Sequence, residues 1–422
     1  MKRVIFGSGG LLNSRNNRLF YLATFLTTLS EGTFGLATII YVAQEQGTTL
    51  ALGFLMILTM LPSLLLGPFA GVVIDRMNRA TLAMLGAAGR LVSVLGLMAL
   101  SLVDGAGIVA FYVFVALYYM FWYLASPNAD SLLREILEPE QYVAGSSLAQ
   151  GVYQFGLIIS TVAAGAVIAT VGVSSAFILV AVVVVGVGVC FHLLSRGTRR
   201  TASQGEKAAP VRSSFFGDLK EGFAQFGRNR ATLVYALAGG LVLPAYQALN
   251  VLVAPLVFDL LEGNEFELGL VDSAAAVGSI IAAAVCVTFE KRLRMVGLPL
   301  VLSLLFGAAS VALLPNSGTV PVAFVAYVLV GIFIGNVRVL SRAKLYEVVD
   351  SAVIGRVMST ISAAALAAAV LFSLAAGMLG GLGLHVAYYA LTGVLLLAGL
   401  VVAAHVLTNR TADRKAEAAK AG

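Results

Sequence analysis

The stretch LALGFLMILTMLPSLLLGPFAGVVIDRMNRATLAMLGAAGRLVSVLGLMALSLV, residues 50–103, decides the fold. Two apolar runs, 50–74 and 80–103, are parted by Asp75-Arg76-Met77-Asn78-Arg79, and the only other charge is Arg90. A helix that crosses a bilayer needs about 20 mostly apolar residues. The stretch therefore reads as two spanning helices joined by a short basic connector. Lys and Arg concentrate in the short loops on the cytoplasmic side, so this connector also sets the orientation.

The pattern repeats along all 422 residues. Twelve runs can be cut, at 19–43, 50–74, 80–103, 106–126, 143–170, 174–195, 231–257, 268–289, 296–314, 320–338, 356–380 and 384–407. Of the 27 lysines and arginines, all but Arg90 lie in alternate connectors: 1–18, 75–79, 127–143, 196–230, 290–294, 338–356 and 408–422. The connectors between them, 44–50, 104–107, 171–175, 258–267, 315–320 and 381–385, hold none. An even number of crossings puts both ends on one side, and the basic segments make that side the cytoplasm. The expectation is an all-α polytopic protein of the cell's inner (plasma) membrane, with 12 transmembrane helices in two pseudo-symmetric six-helix bundles. Its parts are a cytoplasmic tail 1–18, a bundle 19–195, a linker 196–230, a second bundle 231–407 and a cytoplasmic tail 408–422.

Composition removes other classes. Hydrophobic residues make up 59% and charged residues 11%, against about 45–50% and 25% in soluble domains. The net charge of +6 sits beside helix ends, where it suits anionic lipid headgroups rather than nucleic acid. Strict period-two alternation is missing, which disfavours a β-barrel. Cys190 and Cys286 lie inside apolar runs and read as buried thiols, while His192, His385 and His405 do not cluster with acids. No metal or cofactor is implied. Residues 7–10, GSGG, lack the Lys-Ser/Thr of a phosphate loop. The linker contains RGTRRTASQGEKAAPVRSS and then FFGDLKEGFAQFGRNR. In the second segment Phe215, Phe216, Leu219, Phe223 and Phe226 have the spacing of an amphipathic helix on the inner membrane surface.

The halves echo each other weakly. Gly71-Val-Val-Ile-Asp75-Arg76-Met-Asn-Arg79 after run 2 is matched by Cys286-Val-Thr-Phe-Glu290-Lys291-Arg292-Leu-Arg294 after run 8. Leu133-Arg-Glu135-Ile-Leu-Glu138 after run 4 is matched by Leu345-Tyr-Glu347-Val-Val-Asp350 after run 10. The loop Gly71-x-x-x-Asp75-Arg76-x-x-Arg79, its degenerate second copy and the twelve-run layout together resemble the major facilitator superfamily. Asn78 stands where the family has a second glycine, and Asn also tolerates positive φ. Ser126-Pro127-Asn128-Ala129-Asp130 through Glu138-Pro139-Glu140-Gln141, and Asp218-Leu-Lys-Glu221-Gly222, are similar to the drug, macrolide and siderophore exporter branch. The chain departs from other exporter branches: run 4 has no embedded arginine, and run 5 has Gly151, Gly156 and Gly165 but no Gly-Pro pair.

The resemblance implies a cytoplasmic gate built from Gly71, Asp75, Arg76 and Arg79, with Glu290, Lys291 and Arg294 as its second copy. Gly71 lets helices approach, Asp75 meets a helix N-terminus, and Arg76 and Arg79 pair with acids such as Asp130 or Glu135. The competing role for these residues is to anchor a tight turn.

Embedded charges carry the most physical information. Glu31 lies about twelve residues into run 1, close to mid-membrane at ~1.5 Å per residue. A charge there costs at least ~2.5–3.5 kcal/mol on insertion scales. It is relieved by a wet cavity, by pairing or by carrying a proton. Arg90 is similarly deep and can pair with it. The expectation is that Glu31 and Arg90 couple transport to protons, against a purely structural buried pair. Tyr118, Trp122, Gln154, Gln247, Asn250 and Asn336 are candidates for the substrate cavity; their plainer role is packing or interhelical glue. Pro244 and Gly239-Gly240 are expected to break run 7.

The reading is a monomeric, proton-coupled exporter of hydrophobic or amphipathic small molecules, such as drugs, macrolides or siderophores, working by alternating access. A lipid or lysolipid flippase on the same fold and a non-transporting receptor stay open as alternatives. No cluster of nucleophile, base or metal ligands suggests an enzyme. The layout predicts that a cysteine introduced at Glu262 is labelled from outside intact cells by a membrane-impermeant maleimide, while one at Arg76 or Lys415 is not. The reverse pattern would overturn the orientation.

Overall fold

The computed structural model describes residues 11–76, 79–100, 107–125, 132–133, 135–198, 215–288, 297–350 and 353–421. No strand occurs among them. The helices are α1 Arg15–Gln46, α2 Thr49–Arg76, α3 Arg79–Leu100, α4 Ile108–Ala125, α5 Tyr142–Val171, α6 Val173–Thr198, α7 Phe215–Arg228, α8 Arg230–Gly240, α9 Val242–Pro255, α10 Glu265–Thr288, α11 Gly297–Leu313, α12 Val320–Val348, α13 Ile354–Leu382 and α14 Leu384–Ala421. Eleven crossings are long and apolar enough to span a membrane, with α8, α9 and the turn after them counting as one, Arg230–Leu260. The remaining apolar helix, α4, is shorter, with its apolar part at Ile108–Leu124. The twelve runs read from sequence are all present, with shifted ends. The first helix starts at Arg15 rather than 19 because the segment before it is tied down. Asn17 Nδ2 donates to the Leu11 carbonyl at 2.9 Å, and Leu11 is buried.

Run 7 is interrupted where expected. α8 ends at Gly240 and α9 begins at Val242. Pro244 has no N–H, so the Gly240 carbonyl loses its partner four residues on. A π-type turn, Leu256–Leu260, follows Pro255, with Leu261 N–H donating to the Leu256 carbonyl at 3.1 Å. Two buried tyrosines from other helices fasten α9: Tyr327 OH donates to the Leu249 carbonyl and Tyr388 OH to that of Leu252, each at 3.2 Å.

The chain forms two compact units. The first holds residues 1–46, 58–211 and 264–273; the second holds 47–57, 212–263 and 274–422. Each therefore contains most of one expected bundle plus one helix end from the other half of the sequence. Glycine explains both additions. In the first unit a Cβ on Gly269 of α10 would lie 2.3 Å from the Thr161 carbonyl oxygen of α5, and one on Gly165 would lie 2.6 Å from that of Glu265. In the second, a Cβ on Gly53 of α2 would lie 2.8 Å from the Ser373 carbonyl oxygen of α13. Such close backbone approach is open only to glycine, and small residues are the usual means of helix contact in lipid.

α7 occupies the end of the linker segment and docks on α13. Gly222 rests on the start of α13, where a Cβ would meet Thr360 Oγ1 at 2.0 Å and the Arg356 carbonyl oxygen at 3.0 Å. Beside it Glu221 Oε1 pairs with Arg356 Nη1 at 2.6 Å. Phe223 stays 54% exposed and packs edge-on against Phe226. Asn229 then caps α8, its Oδ1 accepting from the backbone N–H groups of Ala231 and Thr232. An exposed ion pair contributes at most about 1 kcal/mol, so the glycine seat should dominate docking. In a Glu221→Cys/Arg356→Cys variant, adding Gly222→Val should cut disulfide formation at least fivefold, read by gel shift. Glu221→Ala alone should change thermal stability by no more than about 1 kcal/mol.

Candidate functional site

Three helices of the first unit build a charged centre. α3 and α4 run antiparallel with two glycines as seats: a Cβ on Gly89 would lie 2.2 Å from the Phe121 ring, and one on Gly96 2.2 Å from that of Phe114. This register places Arg90 opposite the turn that carries Tyr118 and Trp122. α1 meets α5 in the same way, through Gly32 against Ser160. α1 also meets α4 through Phe34, whose ring stacks on Tyr118 at 3.6 Å. Glu31 is the residue before Gly32 and sits near the middle of α1.

Arg90 is 1% exposed. Its Nη1 donates to Ser30 Oγ at 3.4 Å, and its guanidinium carbon lies 6.0 Å from the Tyr118 ring centroid. Glu31 is half-buried as a residue; its carboxylate feels the Arg90 charge without forming a salt bridge to it, and meets the Trp122 side chain. The set is left with spare capacity. Glu31 Oε2, Arg90 Nε and the Tyr118 hydroxyl are all buried without a hydrogen-bond partner. The Tyr118 hydroxyl lies near Ser30 and Arg90, but neither reaches hydrogen-bond geometry. Buried polar atoms are nearly always satisfied, so three orphans in one charged centre mark a place where protonation or hydrogen-bond state can change.

The candidate cavity residues divide. Tyr118 and Trp122 belong to this centre, and Tyr118, fully buried under Phe34, serves the charges rather than an open wall. Gln154 is half-buried on α5. In the second unit Asn250 Nδ2 donates to Gln247 Oε1 at 3.1 Å, and Gln247 is buried; both lie on α9, so this bond runs along one helix and links no neighbour. Asn336 is half-buried on α12. Of the candidate gate residues, Arg79 Nη1 reaches Glu135 Oε1 at 2.7 Å with both partly exposed. Gly71, Asp75 and Arg76 lie on α2, with side chains outside the described residues. Asp130, Glu290, Lys291 and Arg294 lie wholly outside them. Among the described residues no group of three or more metal-ligating side chains forms, and Cys190 is a free buried thiol.

Two acids at the start of α10 have local roles. Asn264 and Glu267 form a reciprocal cap at the start of α10, with Asn264 Oδ1 accepting from the Glu267 N–H and Glu267 Oε2 from the Asn264 N–H. Glu265 accepts from Gln44 of α1 at 3.0 Å. One embedded acid escaped the sequence reading. Asp272 falls near the edge of run 268–289, but α10 starts earlier, at Glu265, and carries Asp272 inward.

The Major Facilitator Superfamily model matches residues 20–335. The chain is 23% identical over 396 residues to macrolide efflux protein A of Streptococcus pyogenes, covering 90% of this chain and 93% of that protein. Among solved structures, a bacterial homologue of the iron transporter ferroportin in its inward-facing state superposes with a TM-score of 0.73 at 18% identity, covering 93% of this chain and 98% of that one. The peptide transporter POT in complex with sulfate gives 0.73 at 16% identity, with 96% and 95% covered. At these identities the structures speak for the fold alone. With the family model spanning most of the helices described above, the chain belongs to the Major Facilitator Superfamily and is a multi-pass membrane transporter, not an enzyme.

Proposed function

We propose that this transporter is a proton-coupled exporter of hydrophobic or amphipathic small molecules, working by alternating access. The observation that carries the reading is a charged centre at mid-helix: buried Arg90 acts electrostatically on Glu31 without a salt bridge between them, and polar atoms of both are unsatisfied. A carboxylate held beside a fixed guanidinium has two stable arrangements. Ionised, it is attracted to Arg90; protonated, it releases Arg90 to other partners. Binding of a proton therefore changes which contacts α1, α3 and α4 make, and a two-state element of this kind is what coupling requires. The similarity to a macrolide efflux protein supports export and a greasy substrate. The enclosure of Arg90 favours this role over capture of a lipid phosphate, as a flippase would need.

Both termini are placed in the cytoplasm of the inner (plasma) membrane, on the alternation of basic connectors. The Arg79–Glu135 pair supports a cytoplasmic gate at the α2–α3 loop. The chain is taken to work as a monomer, since one copy carries both halves of the transport fold.

In proteoliposomes with an imposed pH gradient, Glu31→Gln should bind a lipophilic substrate within about threefold of wild type but lose gradient-driven flux more than tenfold. Undiminished flux would remove Glu31 from coupling. Removing one partner of a buried pair costs about 3–5 kcal/mol because the other charge is stranded. Arg90→Ala should therefore lower the melting temperature in detergent markedly, and Glu31→Gln/Arg90→Ala should recover part of the loss. Additive losses in the double variant would show that the two charges do not form a pair.

A further inference from the structure

Asp272 is a second carboxylate at the depth of Glu31, and helix register shows it. α5 packs against both α1 and α10 within the first unit. On one side Gly32 of α1 seats on Ser160, with Leu157 Cδ2 3.7 Å from its added Cβ. On the other, Gly165 meets the Glu265 carbonyl and Phe266, and Gly269 meets Thr161. Advancing α10 from Gly269 to Asp272 moves it about 4.5 Å inward. That reaches the level of Ile158, near the middle of α5, and the same level as Gly32 and Glu31. The two acids therefore stand at one depth, on helices that flank α5.

Asp272 does not face lipid. The exposed side of α10 carries Phe266, Ile280, Ile281 and Val285. At roughly 100° per residue these centre on a direction nearly opposite to that of Asp272. The side chain is half-buried on the protein side of the helix. It makes no hydrogen bond or ion pair among the described residues, and no charged side chain among them acts on it. Glu31 has the charge of Arg90 acting on it; among the described residues Asp272 has no such counter-charge. The other acids of its own helix are engaged outward, Glu265 with Gln44 and Glu267 in the helix cap. An anion at mid-bilayer carries a cost of at least ~2.5–3.5 kcal/mol and by default marks function.

We propose that Asp272 is a cation-binding carboxylate of the transport site, so that the substrates include lipophilic molecules bearing a positive charge, such as protonated amines. This rests on the transporter reading above and narrows its substrate class. Arg90 excludes a cation from the neighbourhood of Glu31, whereas the uncompensated charge of Asp272 attracts one. The two acids thus divide the work: Glu31 answers to the proton, Asp272 to the charge on the substrate.

The test is binding to the purified full-length chain in detergent, using tetraphenylphosphonium as a permanent cation and triphenylphosphine oxide as a neutral lipophile. Asp272→Asn should weaken tetraphenylphosphonium at least tenfold and leave triphenylphosphine oxide within twofold. Asp272→Glu should keep most of the cation affinity and shows that the site tolerates substitution. Unchanged tetraphenylphosphonium binding in Asp272→Asn overturns the assignment, as does equal weakening of both probes, which would signal a lost shape rather than a lost charge. Loss of gradient-driven flux with cation binding intact would also overturn it, by giving Asp272 to the proton instead. Binding in detergent needs no gradient, so failure here leaves the Glu31 flux experiment standing, and the converse holds.

Discussion

A guanidinium closed away from solvent inside a membrane protein must be compensated where it sits. In hydrocarbon no water arrives to solvate it, and Coulomb attraction is far stronger than in water. Arg90 meets that demand with one nearby carboxylate that it does not touch in a salt bridge, one weak hydroxyl contact and one aromatic face. The compensation is incomplete, since Arg90 Nε and Glu31 Oε2 lack partners. A fully satisfied pair would be a rigid staple between α1 and α3. An incompletely satisfied one is sensitive to any event that alters its charge. Much of the first unit follows from this requirement: Phe34 and Tyr118 wall off the guanidinium, and Ser30 and Trp122 supply the nearby polar groups.

Holding such a centre in place needs helices closer than leucine-lined surfaces allow. Lipid provides no hydrophobic drive for helices to associate, so packing and close backbone approach must do it. Glycine serves this purpose at each contact that matters here. Gly89 and Gly96 each receive a phenylalanine of α4, two turns apart, and thereby fix the register that puts Arg90 beside Tyr118. Gly32 fixes Glu31 against α5, and Gly165 with Gly269 fixes α10 against the same helix. The 44 glycines would weaken helices in water; in a bilayer those at contacts set which side chains share a depth.

The layout of crossings was legible because the physics behind it is one-dimensional. Apolar length and the sign of connectors are read along the chain with no knowledge of packing. The break in run 7 was legible for the same reason, since Pro244 removes a donor wherever it lies. Glu31 and Arg90 stood out as charges deep in apolar runs, and Arg79 and Glu135, which pair, stood out as charges in two basic connectors. What was not legible depended on helix register. Gly222 looked like part of a surface helix, yet it is the seat by which α7 docks on α13. Tyr118 looked like a cavity aromatic, but stacking on Phe34 encloses it. Asp272 was passed over because the run boundary was drawn three residues inside the true helix start, which made a central acid look peripheral.

Register also explains how the two acids can differ in task while sharing a depth. A carboxylate's behaviour in low dielectric is set by what faces it, not by how deep it lies. Glu31 shares its centre with the fixed charge of Arg90, which repels a second cation, whereas a proton neutralises the carboxylate and frees Arg90 from it. Asp272, turned from lipid and lacking a counter-ion among the described residues, is neutralised only by something that arrives. A transporter that carried both functions on one residue would have to expel substrate each time the proton bound, by direct competition at a single group. Separating them by the width of α5 lets the two events act on different helices. In the proposed mechanism coupling resides in how α5 packs against α1 on one side and α10 on the other, through the close contacts of Gly32 and Gly269.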